Sequence, residues 1–228
     1  GQPNGQRTYV QAAISRPWVA PGWFVTPKLQ LHSTKYGFDA PLANGRTSAS
    51  RVLPTVSVDS GLVFERNTQY FDRDVLQTLE PRAFYTRTPF RDQSFLPNYD
   101  SAANDFNFAT IWSENAFGGH DRRADADVLT LGLGSRFLSP QTGAEWVYLR
   151  MAQRLRFSSQ NVVLPGGLPA TEKFSDTLLG ATLNPHERWS LDGTAQYDPD
   201  IARSVRTTLS TRFSPGPYRV VNLAYRLQ

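Results

Sequence analysis

Residues Leu79 to Phe137 read LEPRAFYTRTPFRDQSFLPNYDSAANDFNFATIWSENAFGGHDRRADADVLTLGLGSRF, and this stretch decides the fold. Between Arg82 and Tyr85 and again between Leu129 and Arg136, apolar and polar residues alternate with period two, which sends one set to each face of a β-strand. In the first run Leu79, Ala83 and Tyr85 oppose Glu80, Arg82 and Thr86. In the second, Leu129, Leu131 and Leu133 oppose Thr130, Gly132, Gly134 and Arg136. The residues between, Pro89 to Asp125, form a long polar and aromatic loop. Within it Phe106 to Asn115 suits a short strand or a single helical turn, and periodicity does not separate the two at that length.

The alternation continues on both sides. Upstream, strands are predicted over Gln6 to Arg16, over Trp23 to Thr34 and over Val52 to Phe64. In Trp23 to Thr34, Trp23, Val25, Leu29 and Leu31 oppose Lys28, Gln30 and His32. Phe38 to Thr47 reads as a loop and Asn67 to Asp74 as a turn. Downstream, a turn at Ser139 to Gly143 joins the Leu129 run to Val147–Phe157, whose polar face carries Arg150, Arg154 and Arg156. After the Gly- and Pro-rich Asn161 to Lys173 come four runs: Thr177 to Leu183, Trp189 to Tyr197, Val205 to Phe213 and Tyr218 to Leu227. Short connections are expected at Asn184-Pro185-His186, Asp198 to Ala202 and Ser214 to Pro217. Pro27, Pro54 and Pro81 fall inside alternating runs, where a missing N–H predicts bulges.

These runs total ten or eleven strands, many near the roughly 9 to 11 residues of a membrane-crossing barrel strand. Long connections at Gly37 to Ala49, Pro89 to Asp125 and Asn161 to Lys173 alternate with short ones, as in barrels with long outer loops and tight periplasmic turns. Asp198 to Ala202 is the short exception. Trp18, Trp23, Trp146, Trp189 and Tyr218 stand toward strand ends, where interfacial girdles place aromatic rings. No run approaches the roughly 18 apolar residues of a membrane helix, so a bilayer would be crossed by strands. The predicted class is an all-β antiparallel transmembrane β-barrel of the outer-membrane type, the 228 residues forming part of a single barrel domain incomplete at both ends. A soluble all-β binding domain is the bland reading of the same pattern.

The phrases Leu79-Glu80-Pro81-Arg82, Pro89-Phe90-Arg91-Asp92-Gln93-Ser94, Leu96-Pro97, Asp105-Phe106-Asn107-Phe108 and Ser113-Glu114-Asn115 stand in fixed order. Phe117, Gly119 to Arg122 and Leu129 to Arg136 continue the series. In this order they resemble the centre of the barrel domain of the LptD (Imp/OstA) family of outer-membrane lipopolysaccharide-assembly proteins. Ala116, Gly118 and Arg123 depart from the family pattern, and the flanks carry few signature residues. The resemblance implies a non-enzymatic translocon in the cell outer membrane of a Gram-negative bacterium, delivering lipopolysaccharide through a barrel lumen and a lateral gate. It implies as partners lipopolysaccharide, an LptE-like plug lipoprotein, outer-membrane lipids and periplasmic bridge components held by a domain in front of the barrel. A pore or transporter of another class is the alternative, favoured if the loop Pro89 to Asp125 folds into the lumen.

Other chemistries find little support. The chain has no cysteine, and its three histidines, His32, His120 and His186, lack a second ligand at metal-like spacing. No metal or cofactor is expected. Asp100, Asp105, Glu114, His120, Asp121, Asp125 and Asp127 cluster around one loop, where solvated acids near Arg122 and Arg123 are the simpler explanation. Neither a G-x-S-x-G elbow nor a phosphate loop occurs, so Gly132 and Gly134 mark a bulge or a close approach to the backbone. Among 24 basic residues only Lys28, Lys35 and Lys173 are lysine, yet no basic run forms, which argues against nucleic acid. The arginine forks suit carboxylates and phosphates. Glu80, Arg82, Arg136, Arg150, Arg154 and Arg156 share the polar parity and are the candidate lumen-facing contacts. Solvation, ion pairing and plug contact are the roles expected of them, ahead of direct contact with passing glycolipid.

Overall fold

The computed structural model describes residues 4–94, 96, 98, 101, 106–115, 125–158, 161–169, 173–200 and 203–228. They build twelve strands and no helix: β1 (Gly5–Ser15), β2 (Trp18–Ala20), β3 (Trp23–Phe38), β4 (Ser48–Leu62), β5 (Phe64–Tyr70), β6 (Arg73–Thr88), β7 (Ala126–Leu138), β8 (Glu145–Arg156), β9 (Thr177–His186), β10 (Trp189–Asp198), β11 (Arg203–Gly216) and β12 (Arg219–Leu227). All join one antiparallel sheet in the order β1-β3-β4-β6-β7-β8-β9-β10-β11-β12, with β2 beside β3 and β5 beside β6. Since β2 prolongs β1 and β5 prolongs β4 in the same register, the twelve strands amount to ten staves. β1 and β12 are the two edges, so the sheet is open.

The prolines are accommodated differently from expectation. No register shift accompanies Pro27, Pro54 or Pro81, each of which pairs in step with Val58, Leu31 or Leu133. Each instead turns its missing donor to a place where no ladder bond is formed. The Pro27 carbonyl accepts from Arg16 N, so Pro27 faces the gap between β1 and β2. Val63 N donates to Gly22 O, which turns Leu62 toward β6 at Pro81, and there β4 gives way to β5. By the same alternation Pro54 points toward β6 beyond its last residue, Thr88. The cost of each proline is an interruption in a neighbour or a strand end, with no bulge.

Three predicted connections also move. Asn67 to Asp74 is mostly strand, with the reversal confined to Phe71 and Asp72 at φ of 53° and 59°, the paired positive values of a type I′ hairpin. Asn184 to His186 belongs to β9 and Ser214 to Gly216 to β11, the turns falling at Glu187-Arg188 and Pro217-Tyr218. All tight turns lie at one end of the staves. The connections 39–47, 89–125, 157–176 and 199–202 lie at the other.

The two faces of the sheet differ in an unusual sense. In β7 and β8 the polar or small parity is buried, with Thr130 at 1% and Ala152 at 3% exposure, whereas Leu131 and Met151 are each 45% exposed. β3, β4 and β6 repeat the covered polar parity, and the open apolar parity extends to β9 and β11. Gln30, His32, Thr34, Thr55, Ser57, Thr78 and Thr86 are buried, while Leu29, Leu31, Val56, Leu79, Leu179 and Leu209 are open. Register aligns the open residues into rows such as Leu133, Met151 and Leu179. A water-soluble sheet buries the opposite set. Trp18, Trp23, Trp146 and Trp189 sit at the tight-turn end; Tyr85, Phe157 and Tyr197 sit at the other. Between them on β8 run about nine residues, Val147 to Leu155, which at about 3.4 Å each and a barrel tilt of about 40° span about 23 Å. That matches the roughly 25 Å apolar band of an outer-membrane barrel.

Candidate functional site: the polar face and the segment laid across it

Phe106–Asn115 crosses the polar face. It is a run of turns in which Asn107 O accepts from Ile111 N at 2.9 Å and the Asn107 side chain caps Ala109 N and Thr110 N at 2.9 and 3.0 Å. The helical-turn option therefore holds for this stretch. Ile111 is fully buried against Ala152 and Leu178, with Phe106, Phe108 and Trp112 packed around it. Two glycines make room. A Cβ at Gly132 would lie 2.6 Å from the Trp112 ring, and one at Gly180 2.9 Å from Phe108. The close approach expected at Gly132 is thus made by a side chain of the loop.

Four of the six candidate residues, Arg82, Arg136, Arg150 and Arg154, hold acids of the sheet, this segment, or both, and Glu80 is one of the acids held. Arg82 grips Asp59 through two parallel bonds, Nε to Oδ1 at 3.0 Å and Nη2 to Oδ2 at 2.7 Å, and its guanidinium lies 4.2 Å from the Trp112 ring centre. Glu80 accepts from Arg136 at 2.8 Å and from Thr78 Oγ1 at 2.8 Å. Arg136 also reaches Glu145 at 3.0 Å and stacks on Tyr148. Arg150 stands 4.0 Å from Asp192 and 4.3 Å from the Phe108 ring centre, and its buried Nε has no hydrogen-bond partner among the described residues. Arg154 donates to Ile111 O at 2.9 Å and Thr110 O at 2.7 Å, fixing the segment by its backbone. Arg156 shares this parity, and its backbone N–H bonds Lys173 O.

Sequence reasoning missed the partners. Asp59, Glu145 and Asp192 supply the acids, Phe108 and Trp112 the rings, and Arg51, buried and bonded to Gln93 at 2.6 Å and Thr34 at 3.1 Å, anchors the start of the loop. Asp59 and Arg51 share the inward parity of β4, which was the available signal. The acidic cluster does not assemble in the described residues. Glu114 binds Ser57 at 2.9 Å and faces Lys28 at 3.6 Å, Asp125 caps Asn161 N and Val162 N, and Asp127 accepts from Tyr85. Asp100, Asp105, His120, Asp121, Arg122 and Arg123 lie outside the described residues, as do Ala116, Phe117, Gly118 and Gly119. His32 Nε2 donates to Gln30 Oε1, and His186 stands at the end of β9.

An open antiparallel sheet with its polar face covered and its apolar face bare defines a β-barrel wall of the outer-membrane type. The family model for LPS transport system D, LptD, matches residues 1–228. The chain is 61% identical over 228 residues to the LPS-assembly protein LptD of Acidovorax sp. (strain JS42) and 58% identical over 228 residues to that of Polaromonas sp. (strain JS666 / ATCC BAA-500), in each case over the whole chain. It is 44% identical over 229 residues to that of Ralstonia nicotianae, covering 98% of the chain. The chain belongs to the LptD family, and it spans 28% of the length of these relatives. The inward course of Phe106–Asn115, the feature that would favour another class of pore, therefore occurs within an LptD sequence.

Proposed function

We propose that residues 1–228 form part of a single outer-membrane barrel domain that moves lipopolysaccharide toward the outer leaflet without catalysis, through a lumen and a lateral gate. The observation that carries this reading is the inverted burial of the sheet: outward leucines such as Leu131, Leu149 and Leu209 are open and inward threonines such as Thr55, Thr86 and Thr130 are covered, as lipid outside and a filled lumen inside require. Membership of a family whose relatives are LPS-assembly proteins supplies the cargo. On this reading the bare face meets outer-membrane lipids, and the polar face meets an LptE-like plug lipoprotein. Periplasmic bridge components act through a domain preceding the barrel. Glu80, Arg82, Arg136, Arg150, Arg154 and Arg156 hold water, neighbouring acids and the plug ahead of touching the glycolipid, because part-exposed ion pairs of this kind are individually weak.

Photocrosslinking in cells from positions 150, 154 and 156 of the full-length protein tests it. Capture of the lipoprotein is the expected result, and capture of lipopolysaccharide would move these residues to the transport path. Labelling by lipid-restricted probes at 150, 154 and 156 with silence at 149 and 151 would overturn the assignment of faces.

A further inference from the structure

The tip of the β5–β6 hairpin leans over the apolar face and leaves a groove of about 530 Å³. Its floor is Phe137, Leu149 and Leu183, all of the bare parity, and Tyr70 forms a wall, its ring edge-on to Phe137 at 5.6 Å. Arg73 and Trp146 stand at the rim, with the guanidinium 5.5 Å from the indole centre. Arg73 is exposed, and the adjacent carboxylate of Asp74 is bonded by Gln69 at 2.8 Å. An apolar trough thus opens beneath a cation backed by a tryptophan, at the tight-turn end of the staves.

We propose that this groove is a binding site for one phospholipid, an acyl chain lying on Phe137, Leu149 and Leu183 and the phosphate on Arg73. The proposal rests on the reading that the bare face meets lipid. Three features select this occupant. The floor is continuous with the lipid-facing rows, so whatever fills the groove shares the surrounding medium. The rim offers a single positive charge, which complements a phosphate and which an uncharged chain would not use. Tyr70 and Trp146 carry apolar bodies with polar tips, the ring types that settle at headgroup depth. The outward residues of the hairpin change over the same interval from Phe64 and Leu79 to Arg66 and Gln77, whose side chains bond each other at 2.9 and 2.7 Å. The end of the apolar band therefore falls at the groove.

The test uses the full-length protein in nanodiscs of phosphatidylethanolamine with a minor fraction of phosphatidylglycerol. A trace of phosphatidylglycerol carrying a mid-chain diazirine is added, and labelled peptides are mapped by mass spectrometry. Labelling should concentrate on 137–149 and 183–185 above the rest of the belt. It should fall about fivefold in Arg73→Gln, which alters only an exposed side chain, and fall also in Leu183→Trp, whose larger ring takes up part of the trough. Equal labelling at 131, 149 and 209, unchanged by either variant, would leave the membrane reading intact and overturn the site. Absence of labelling at all three would overturn both. Competition by added lipopolysaccharide but not by unlabelled phospholipid, or crosslinks from 70–73 to a second protein chain, would also overturn the proposal by assigning the groove to another occupant.

Discussion

β7 and β12 carry the same alternation and meet different fates. β7 lies between two staves beneath Phe106–Asn115, and its inward Thr130 is almost completely buried while its outward Leu131 is open. β12 has one neighbour, and all nine of its residues are exposed, Val221, Leu223 and Tyr225 as well as Asn222 and Arg226. Period-two patterning fixes the direction of a side chain; burial is decided by what is laid on that face. Among the described residues the centre of the sheet has such a cover and the edges do not.

The largest test removes everything that could cover the edges. Residues 1–228 expressed alone should aggregate, because two unpaired edges and an apolar face meet water together. A monodisperse, cooperatively unfolding preparation would break the comparison, since the edges would then need no partner. Next, Met151→Arg, at the middle of the Val147–Leu155 span, should in the full-length protein cost about 2 to 4 kcal/mol and impair assembly, as followed by heat-modifiable mobility on gels. Normal assembly would mean that the face is not lipid-bound. Arg154→Ala should loosen the cover by about 1.5 to 3 kcal/mol, two charged hydrogen bonds being lost, and hydrogen exchange over 106–115 should rise while β12 is unaffected. Arg82→Lys keeps the charge yet loses the paired bonds to Asp59 and the stacking on Trp112, and a loss of about 1 kcal/mol should appear as faster exchange in the same segment. Last, Phe71→Asn with Asp72→Gly should stabilise the β5–β6 hairpin by about 1 kcal/mol, since both residues now hold positive φ. Slower exchange at Arg66 and Gln77 would register the gain.

Direction was legible along nearly every stave. Leu129, Leu131 and Leu133 against Thr130 and Arg136, or Leu149 and Met151 against Arg150 and Arg154, separate by face as their alternation requires. Legibility failed where both faces are polar. From Glu65 to Asp74 no parity is apolar, so a projecting hairpin looked like a turn. It failed again at the prolines, because whether a missing N–H is harmful depends on the neighbour opposite, and Arg16, Leu62 and Thr88 are 11 to 34 residues from the prolines they serve. The candidate arginines could be placed by parity, but their acids could not. Asp59 reaches Arg82 only through the β4–β6 register, and Asp192 reaches Arg150 across β9. Phe108 and Trp112 within a polar loop, set against Gly132 and Gly180 in strands, were the one pairing from which the cover could have been inferred.

The segment Phe106–Asn115 sits in the chain between β6 and β7 but is held by residues on both sides of that pair: Ser57 of β4, Arg150 and Arg154 of β8, and Gly180 of β9. Neighbouring staves zip with short loops closed, whereas the segment's contacts with Arg150, Ala152, Arg154, Leu178 and Gly180 form only after β8 and β9 have been added. Those interactions are therefore absent from the early nucleus. Weakening them should leave the rate of sheet formation nearly unchanged and speed the reverse reaction, so the segment acts as a late-closing kinetic lock on a wall already built.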